Sequence, residues 1–312
     1  MKERGFVLVN ALVIVAALTA VAVFLLSRAE TGRVRLLAGI EAEQLALNLD
    51  AYEAWAVTLL ARDGDPVRDH LGEDWANAAA DLPLARGRVA GQITDMQGLF
   101  NLNWLADPDN LLARDAFDRL LARIGVPSNA GTAIRDLLRP GGPENRDAYL
   151  RLDPPLDPVG GSLLMRDQLR AIPGLSPQVL ARLTPYITVI PGDSRLNVNT
   201  ASEVILAAFL PDLPAATLNR IVTERDREPF ASVEDFMTAA GLARPEQEQD
   251  TEGGDDPDPA ILSGDRVAVG SEWFRADLTA QLNGRSAERS TVLRRGPPPT
   301  RPEIAWRVSR RP

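Results

Sequence analysis

The first thirty residues, "MKERGFVLVNALVIVAALTAVAVFLLSRAE" (1–30), decide what kind of protein this chain is. An apolar run extends from Phe6 to Leu26, and only Asn10 and Thr19 interrupt it. At 1.5 Å per residue, a helix of this run spans roughly 31 Å, which matches a hydrocarbon core of about 30 Å. A secretory signal has a shorter apolar region of about 7–15 residues. The run therefore predicts a single transmembrane helix, while the charges on its two sides leave the orientation open.

A stripe of apolar side chains predicts that this helix continues beyond the membrane. The stripe recurs at spacings of three and four and comprises Ala38, Ala42, Leu45, Leu49, Tyr52, Ala56 and Leu59. Polar residues such as Asn48 and Glu53 lie between them. No proline occurs before Pro66, and "DGDP" (63–66) ends the pattern. We expect one helix of about 60 residues, whose apolar stripe packs on a sheet of the same chain.

The composition excludes several classes of function. The chain has 312 residues, 45% of them hydrophobic, so it can bury a sizeable core. Its net charge of −9 argues against a nucleic-acid partner. It has no cysteine and a single histidine, His70, so it offers neither a thiolate nucleophile nor a histidine-based triad or metal site. No nucleophile–base pair or phosphate-binding loop is visible, and we do not expect an enzyme.

Strand patterns lie at the two ends of the soluble region, with helical patterns between them. Alternating apolar residues mark "GRVAGQITDMQG" (87–98), "EWFRADLTAQLNG" (272–284) and "PEIAWRVSRR" (302–311) as strands, and "STVLRR" (290–295) lies between the last two. From about 101 to 243 the period is that of helices. The fold class predicted is α+β, with a helical domain inserted between strands of an antiparallel sheet.

Two features of the inserted region have alternative interpretations. "LRAIPGLSPQVLARL" (169–183) resembles a helix-hairpin-helix unit, whose turn can hold a DNA phosphate. Asp212 stands in the second such turn where glycine is expected, and no basic patch flanks it, which favours a packing role. The acidic stretch 244–262 has no apolar period and is interpreted as a linker, with a calcium loop as the alternative.

Three motifs together resemble one family. "RGFVLVNALVIV" (4–15) is similar to a type IV pilin-like leader, and "DMQGLFNLNWL" (95–105) and "DSRLNVNTASEVIL" (193–206) are similar to the paired asparagine motifs of minor pseudopilin K of type II secretion systems. The resemblance covers nearly the whole chain. It implies a pilin-like α+β fold, in which a long N-terminal transmembrane helix packs on an antiparallel sheet and a large helical domain is inserted between strands.

The resemblance also implies a division of the chain. The segments are a prepilin leader (1–5), a transmembrane helix (6–27), an amphipathic helix with the first part of the sheet (28–100), an inserted domain with helix-hairpin-helix-like pairs (101–243), an acidic linker (244–262) and C-terminal strands (263–312).

Processing at the N-terminus is implied by the same family. A prepilin peptidase would cut between Gly5 and Phe6 and methylate the new amine of Phe6. Most relatives carry glutamate five positions into the mature chain, where this sequence has Asn10. Minor pseudopilin K typically departs from that glutamate. A carboxylate in lipid is costly without a cation, and a subunit with no neighbour above it has no amine to neutralise. Asn10 is therefore interpreted as marking a tip subunit, or as bonding only within its own helix.

Two further sets of side chains are candidate sites. Asn101, Asn103, Asn197 and Asn199 alternate with apolar residues, and we interpret them as structural latches between insertion and sheet. The family also resembles calcium binders through an acidic loop, matched here by "GGPENRDAY" (141–149). Asn145 replaces an aspartate there, which leaves Asp136, Glu144 and Asp147 as a weakened calcium set, or as a solvated acidic loop.

The function implied is that of a minor pseudopilin at the tip of a periplasmic pseudopilus, which initiates assembly and supports secretion across the outer membrane. The implied partners are the minor pseudopilins of I and J type, the major pseudopilin, the prepilin peptidase, and secreted substrates or the outer-membrane secretin. The implied location is the bacterial inner membrane, with one span, a cytoplasmic leader and a periplasmic bulk. The alternatives are a type IV pilus minor pilin or tip subunit, and a helix-hairpin-helix DNA-binding membrane protein.

Overall fold

The structure, a computed structural model, describes residues 3–78, 80–243, 261–297 and 299–310. The predicted acidic linker therefore lies outside the described residues except for its last two positions. In chain order the elements are α1 (Glu3–Ala61), β1 (Ala80–Pro83), β2 (Arg88–Asp95), β3 (Phe100–Asn101), α2 (Leu111–Arg123), α3 (Ser128–Leu138), α4 (Asp147–Leu150), α5 (Pro177–Leu183), β4 (Ile187–Thr188), β5 (Leu196–Asn197), α6 (Glu203–Phe209), α7 (Ala215–Arg227), α8 (Val233–Ala239), β6 (Val267–Ala268), β7 (Trp273–Leu282), β8 (Arg285–Arg294) and β9 (Glu303–Arg310).

Helix α1 is a single element of 59 residues, as the uninterrupted pattern predicts. Its apolar residues from Leu8 to Leu26 are exposed, while the stripe from Leu45 to Ala56 is buried. The last buried position of the stripe is Leu60, whereas the predicted Leu59 is only partly buried. The helix stops before Asp63, whose carboxylate accepts a hydrogen bond from the Asp65 backbone N–H at 3.0 Å.

Within the described ranges the main sheet has the strand order β1-β2-β7-β8-β9, and every neighbouring pair is antiparallel. The alternation in β7 turns Phe274, Ala276 and Leu278 toward α1, where they meet Leu45 and Leu49 in one core. The predicted fold class, a long helix on an antiparallel sheet, is confirmed. The strand β1 was not predicted, because four residues that include Pro83 show too little alternation.

Two residues of α1 that the sequence places between the stripe positions are buried. Asn48 donates to the Arg86 carbonyl at 2.9 Å. Glu53 accepts from the Thr291 hydroxyl at 2.7 Å and from Arg307 at 2.9 Å. The face of α1 that meets the sheet is therefore wider than the apolar stripe, because polar side chains with sheet partners extend it.

The chain between β2 and β7 forms the inserted domain, which has its own core. Phe100 stacks on Phe117 with ring centroids 5.2 Å apart and on Phe209 at 5.8 Å. Short parallel pairs, β3 with β4 and β5 with β6, tie the start and the end of the insertion into this domain. Two-residue strands have no periodicity to read, so the sequence did not predict them.

One predicted helix in the insertion is wrong in type. The first half of the resemblance to a helix-hairpin-helix unit is a 3₁₀ helix (Arg166–Ala171), and the second half is α5. Pro173 and Gly174, two and three residues beyond Ala171, leave room for little more than a turn there. The region 203–239 contains three helices, and Ser232 caps the last one with Asp235.

Contacts between α1 and the sheet show from which end of the sheet the inserted domain extends. Near the middle of α1, Glu41 accepts from Asn283 and pairs with Arg285, both at the β7–β8 turn. Just beyond the end of α1, Asp63 pairs with Arg295, which follows β8. Because β2 ends and β7 begins at this second end, the inserted domain leaves the sheet on the side far from the apolar half of α1.

Candidate functional site

The apolar segment of α1 is not buried by the rest of the described chain. In the described part of the chain, one helix is long and apolar enough to cross a membrane, and none of its most apolar window is buried. Phe6 is 69% exposed and Asn10 is also exposed. Residues 3–61 form one helix, so the predicted cleavage junction at Gly5 and Phe6 lies in its first turns.

The first asparagine motif joins the beginning of the insertion to its middle. The Asn101 amide donates to the carbonyls of Ile190 (3.1 Å) and Pro191 (2.9 Å) and to the Ser194 hydroxyl (3.0 Å). Its oxygen accepts from the backbone N–H groups of Asn103 and Ile190. All of its hydrogen-bonding capacity is used within the protein, although the side chain is fully buried.

Asn103, two residues further along the chain, also forms hydrogen bonds through both its amide and its oxygen. Its amide donates to the Leu163 carbonyl at 3.0 Å, and its oxygen accepts from the Leu163 N–H at 2.7 Å. The amide also donates to the Ile190 carbonyl at 2.8 Å. Since Leu163 and Ile190 belong to separate loops, Asn103 holds both against the start of the insertion.

The second asparagine motif joins the insertion to the sheet. The Asn197 amide donates to the Asp95 carboxylate at 3.0 Å and to the Ser271 hydroxyl at 2.9 Å. Asp95 ends β2, and Ser271 lies two residues before β7. Asn199 bonds Phe230 through both its oxygen and its amide, and also donates to the Val269 carbonyl at 3.3 Å. The Asn197 contacts are those expected of a latch between insertion and sheet, whereas Asn101, Asn103 and Asn199 bond partners within the insertion.

Asp95 is the acceptor on which several of these contacts converge. It receives the Gln97 N–H at 2.7 Å, the Ser271 hydroxyl at 2.7 Å and the Thr200 hydroxyl, besides the Asn197 amide. Burial raises the pKa of Asp95, and the four donors act against that rise. The sequence included Asp95 in the first motif but gave no sign that Thr200 and Ser271 would meet it.

A second buried charged group lies beside this one and was not predicted. Arg295 pairs with Asp63 and Asp69 and donates to the Ser271 carbonyl at 3.0 Å. Burial raises the pKa of Asp69 to about 7, while Arg295 and the Ser271 N–H oppose that rise. These charges stand next to loops in the sequence, where charged residues are usually solvated, so the pattern alone could not identify them.

The structure does not gather the three predicted calcium ligands into one cluster. All three are exposed. Glu144 pairs with Arg139 at 2.7 Å, and Asp147 lies 3.9 Å from Arg151. Within the described ranges, the group of carboxylates close enough to share a cation comprises other residues. Calcium binding by Asp136, Glu144 and Asp147 stays a prediction.

A cavity of about 500 Å³ separates the outer face of the sheet from the insertion. Arg166 and Arg275 line it on opposite sides. Burial, and secondarily the Arg275 charge, lowers the pKa of Arg166 to about 10. Arg275 is held by Asp277 at 2.8 Å. The lining also includes Ser290, whose hydroxyl donates to the Asp277 carboxylate at 2.7 Å, so Asp277 holds both Arg275 and Ser290.

Comparison with known proteins agrees with this architecture. Two family models described as type II secretion system protein K match residues 98–192 and 196–253. The first begins just before β3, and the second begins with β5, so each starts at one of the asparagine motifs.

Individual relatives carry the same description over most of their length. The type II secretion system protein K of Pseudomonas aeruginosa is 31% identical over 75% of this chain and 76% of its own. That of Aeromonas hydrophila is 27% identical over 84% and 82%, respectively. A chain of the crystal structure of the GspK-GspI-GspJ complex from enterotoxigenic Escherichia coli has the same fold. Its TM-score is 0.71 at 21% identity, over 89% of this chain and 100% of that chain. The chain therefore belongs to the type II secretion system protein K family.

Proposed function

We propose that this chain, a minor pseudopilin of the type II secretion system, is the subunit at the tip of the periplasmic pseudopilus, where it starts assembly. The observation that carries the proposal is the position of the inserted domain. It leaves the sheet at the end far from the apolar half of α1. In a filament whose subunits stack along their anchor helices, such a bulky distal domain suits a subunit with nothing above it.

Asn10 supports the same position by a separate argument. A glutamate there would need a neighbour's terminal amine, because an unpaired carboxylate in lipid is costly. The amide of Asn10 carries no charge and needs no such neighbour. A tip subunit has no neighbour above it, so a neutral side chain suits the tip and is unfavourable in the body of the filament.

The partners follow from the fold and the membership of the family. A relative of the same fold is in a complex with GspI and GspJ, and we propose the equivalent minor pseudopilins as direct partners here. The major pseudopilin would lie below them. We further propose cleavage between Gly5 and Phe6 by a prepilin peptidase with methylation of Phe6, a single span of the inner membrane, and a periplasmic bulk. The inserted domain would meet secreted substrates or the secretin.

Crosslinking in cells tests the tip assignment. The chain replaces protein K in a strain that secretes through this system, and a photoreactive residue is placed on the exposed α1 surface at Leu36. We expect adducts with I- and J-type pseudopilins only, and loss of secretion when the chain is deleted. Adducts spaced along the whole filament with the major pseudopilin would refute the tip assignment.

Replacement of Asn10 gives a second measurement on the same strain. Asn10→Ala should support near-normal secretion, whereas Asn10→Glu should slow assembly moderately, because a carboxylate near a helix end can reach toward the headgroups. If the unsubstituted chain restored pilus assembly but not secretion, the type IV pilus alternative would be favoured instead.

We also propose, as a separate matter, that the loop 141–149 binds calcium through Asp136, Glu144 and Asp147. The Arg139–Glu144 pair would have to open for this. Fewer bound calcium ions per chain in Glu144→Gln than in the parent protein would support the proposal, and an unchanged number would refute it.

A further inference from the structure

Three carboxylates meet where the chain leaves α1. Asp63, Asp69 and Glu73 each offer an oxygen, and these atoms lie within 4.8 Å of one another. We name these three residues the helix-exit cluster. Like charges so close repel each other, the more so because Asp69 is fully buried and the other two are mostly shielded from water.

The basic residues nearby compensate only part of this charge. Arg295 contacts the Oδ2 atoms of Asp63 and Asp69. The other nearby arginine, Arg68, is directed to Asp65 at 3.1 Å. The buried carboxylate of Asp95 adds its field to that of Asp69. His70 lies 3.8 Å from Glu73, but burial, and secondarily the Arg68 charge, lowers the pKa of His70 and disfavours its charged form. One guanidinium therefore faces the three carboxylates of the cluster, which keeps an excess of negative charge.

One oxygen of the cluster has no partner in the described part of the chain. The Oδ1 atom of Asp69 is buried and accepts no hydrogen bond, although its Oδ2 atom receives the Ser271 N–H at 2.7 Å. An unsatisfied buried carboxylate oxygen is costly and rare in native proteins. The unbonded Oδ1 atom is an observation independent of the excess negative charge, and it also favours a cation beside Asp69.

We propose that the helix-exit cluster is a binding site for a hard divalent cation, Ca²⁺, with Asp69 Oδ1 and the carboxylates of Asp63 and Glu73 as its protein ligands. The set contains only oxygens, which suits Ca²⁺, and water molecules would complete its six to eight ligands. Glu73 is the most exposed of the three and provides the route of entry. Arg295 stays in place, because it uses the Oδ2 atoms of the two aspartates.

The site would fix the end of the long helix to the sheet. Asp69 already bonds the Val269 carbonyl and the Ser271 N–H, next to the start of β7. Asp63 lies two residues beyond α1, and Glu73 belongs to the loop before β1. A cation shared by all three would brace the junction of anchor helix, sheet and insertion.

Calcium titration of the full chain in detergent micelles tests the proposal. After removal of metal with EDTA, the melting temperature is measured with added CaCl₂ or MgCl₂. At free Ca²⁺ a hundredfold above Kd we expect a rise of about 5–10 °C, with a smaller rise for Mg²⁺. Terbium should luminesce when tryptophan is excited, because the Trp75 indole N–H donates to Glu73, and Ca²⁺ should quench this signal.

Matched variants locate the site. Glu73→Gln keeps an acceptor for Trp75 and leaves the Arg295 pairs intact, so the protein should fold but lose both the calcium shift and the terbium signal. Trp75→Phe should lose most of the luminescence and keep the shift. The titrations are made in an Asp136→Asn, Glu144→Gln background, which removes the other proposed calcium set. The control Asp74→Asn, an exposed carboxylate beside Glu73, should behave as that background protein. Absence of any calcium shift, an equal shift in Glu73→Gln, or loss of the shift in the control would overturn the proposal.

Discussion

At the scale of single residues, asparagines hold parts of the insertion together, and Asn197 joins the insertion to the sheet. The sequence identified Asn101 and Asn197 as latches because they alternate with apolar residues. It could not identify their partners, since Asn101 bonds Ile190, 89 positions away, and Asn197 bonds Ser271, 74 positions away. Contacts at such separations depend on the folded topology, which local patterns do not contain.

We predict that Asn101→Asp destabilises the protein by about 3 kcal/mol or more. The new carboxylate keeps the shape of the amide but faces the carbonyl oxygens of Ile190 and Pro191, which the amide N–H groups now satisfy. The melting temperature measures the effect. Asn145→Asp, on an exposed loop, introduces the same charge and should change the melting temperature little. Equal melting temperatures for the two variants would contradict the latch role.

We predict that Gly5→Leu leaves uncut precursor in the membrane. The glycine precedes Phe6 at the start of the apolar run, where the resemblance places the peptidase. Mass spectrometry of the intact chain from cells with an active prepilin peptidase should show Phe6, methylated, as the first residue of the parent protein. A parent protein that retains Met1, or one that begins near residue 28, would contradict cleavage at this junction.

At the scale of elements, hydrophobic periodicity predicted the long helix and the long strands, and it did not predict the short strands and turns. Helix α1 and the strands β2, β7 and β9 have runs of eight residues or more, so a helical or alternating pattern is visible. The strands of the two parallel pairs have two residues each, and one predicted helix is a six-residue 3₁₀ turn. The sequence placed Asn48 and Glu53 between the stripe positions without indicating their bonds, because polarity alone does not reveal a partner across the interface.

We predict that Leu49→Asp costs several kcal/mol of stability, because it places an unpaired charge in the core between α1 and the sheet. Leu49 is 2% exposed. The matched control is Leu47→Asp on the same helix, where the side chain is 55% exposed and the same change should cost little. A melting temperature unchanged by Leu49→Asp would mean that α1 is not packed on the sheet in solution.

At the scale of the whole molecule, the described part of the chain has two large cores and a small cluster of Met96, Ile190 and Val292. The sheet core begins at Leu45 of α1, and the core of the insertion uses no residue before Phe100. The apolar first part of α1 contributes to neither. The sequence predicted this organisation correctly, because a period change from two to 3.6 separates sheet from insertion, and it missed the buried ionic groups between them.

We therefore predict that a chain beginning at residue 31 folds in solution without detergent and retains its partners. Both cores are complete without the first 30 residues, so the free energy of unfolding should change little. Cooperative thermal unfolding and co-purification with I- and J-type pseudopilins are the measurements. Failure to unfold cooperatively would show that the membrane segment is required for folding, and loss of the partners alone would show that it forms their contact.

The pairing of β2 with β7 has a consequence for the order of folding. Asp95 and Phe274 are partners in adjacent strands, yet roughly 180 residues separate them, and closing so long a loop costs about 3 kcal/mol more than closing a four-residue turn. An insertion that folds first would carry its two ends together and remove most of that entropic cost. Sheet closure should therefore wait for the insertion, and a variant that destabilises the insertion alone, such as Phe117→Ala, should slow refolding of the sheet core monitored at Trp75. The rate at which the inserted domain folds should therefore limit the rate at which the sheet forms against α1.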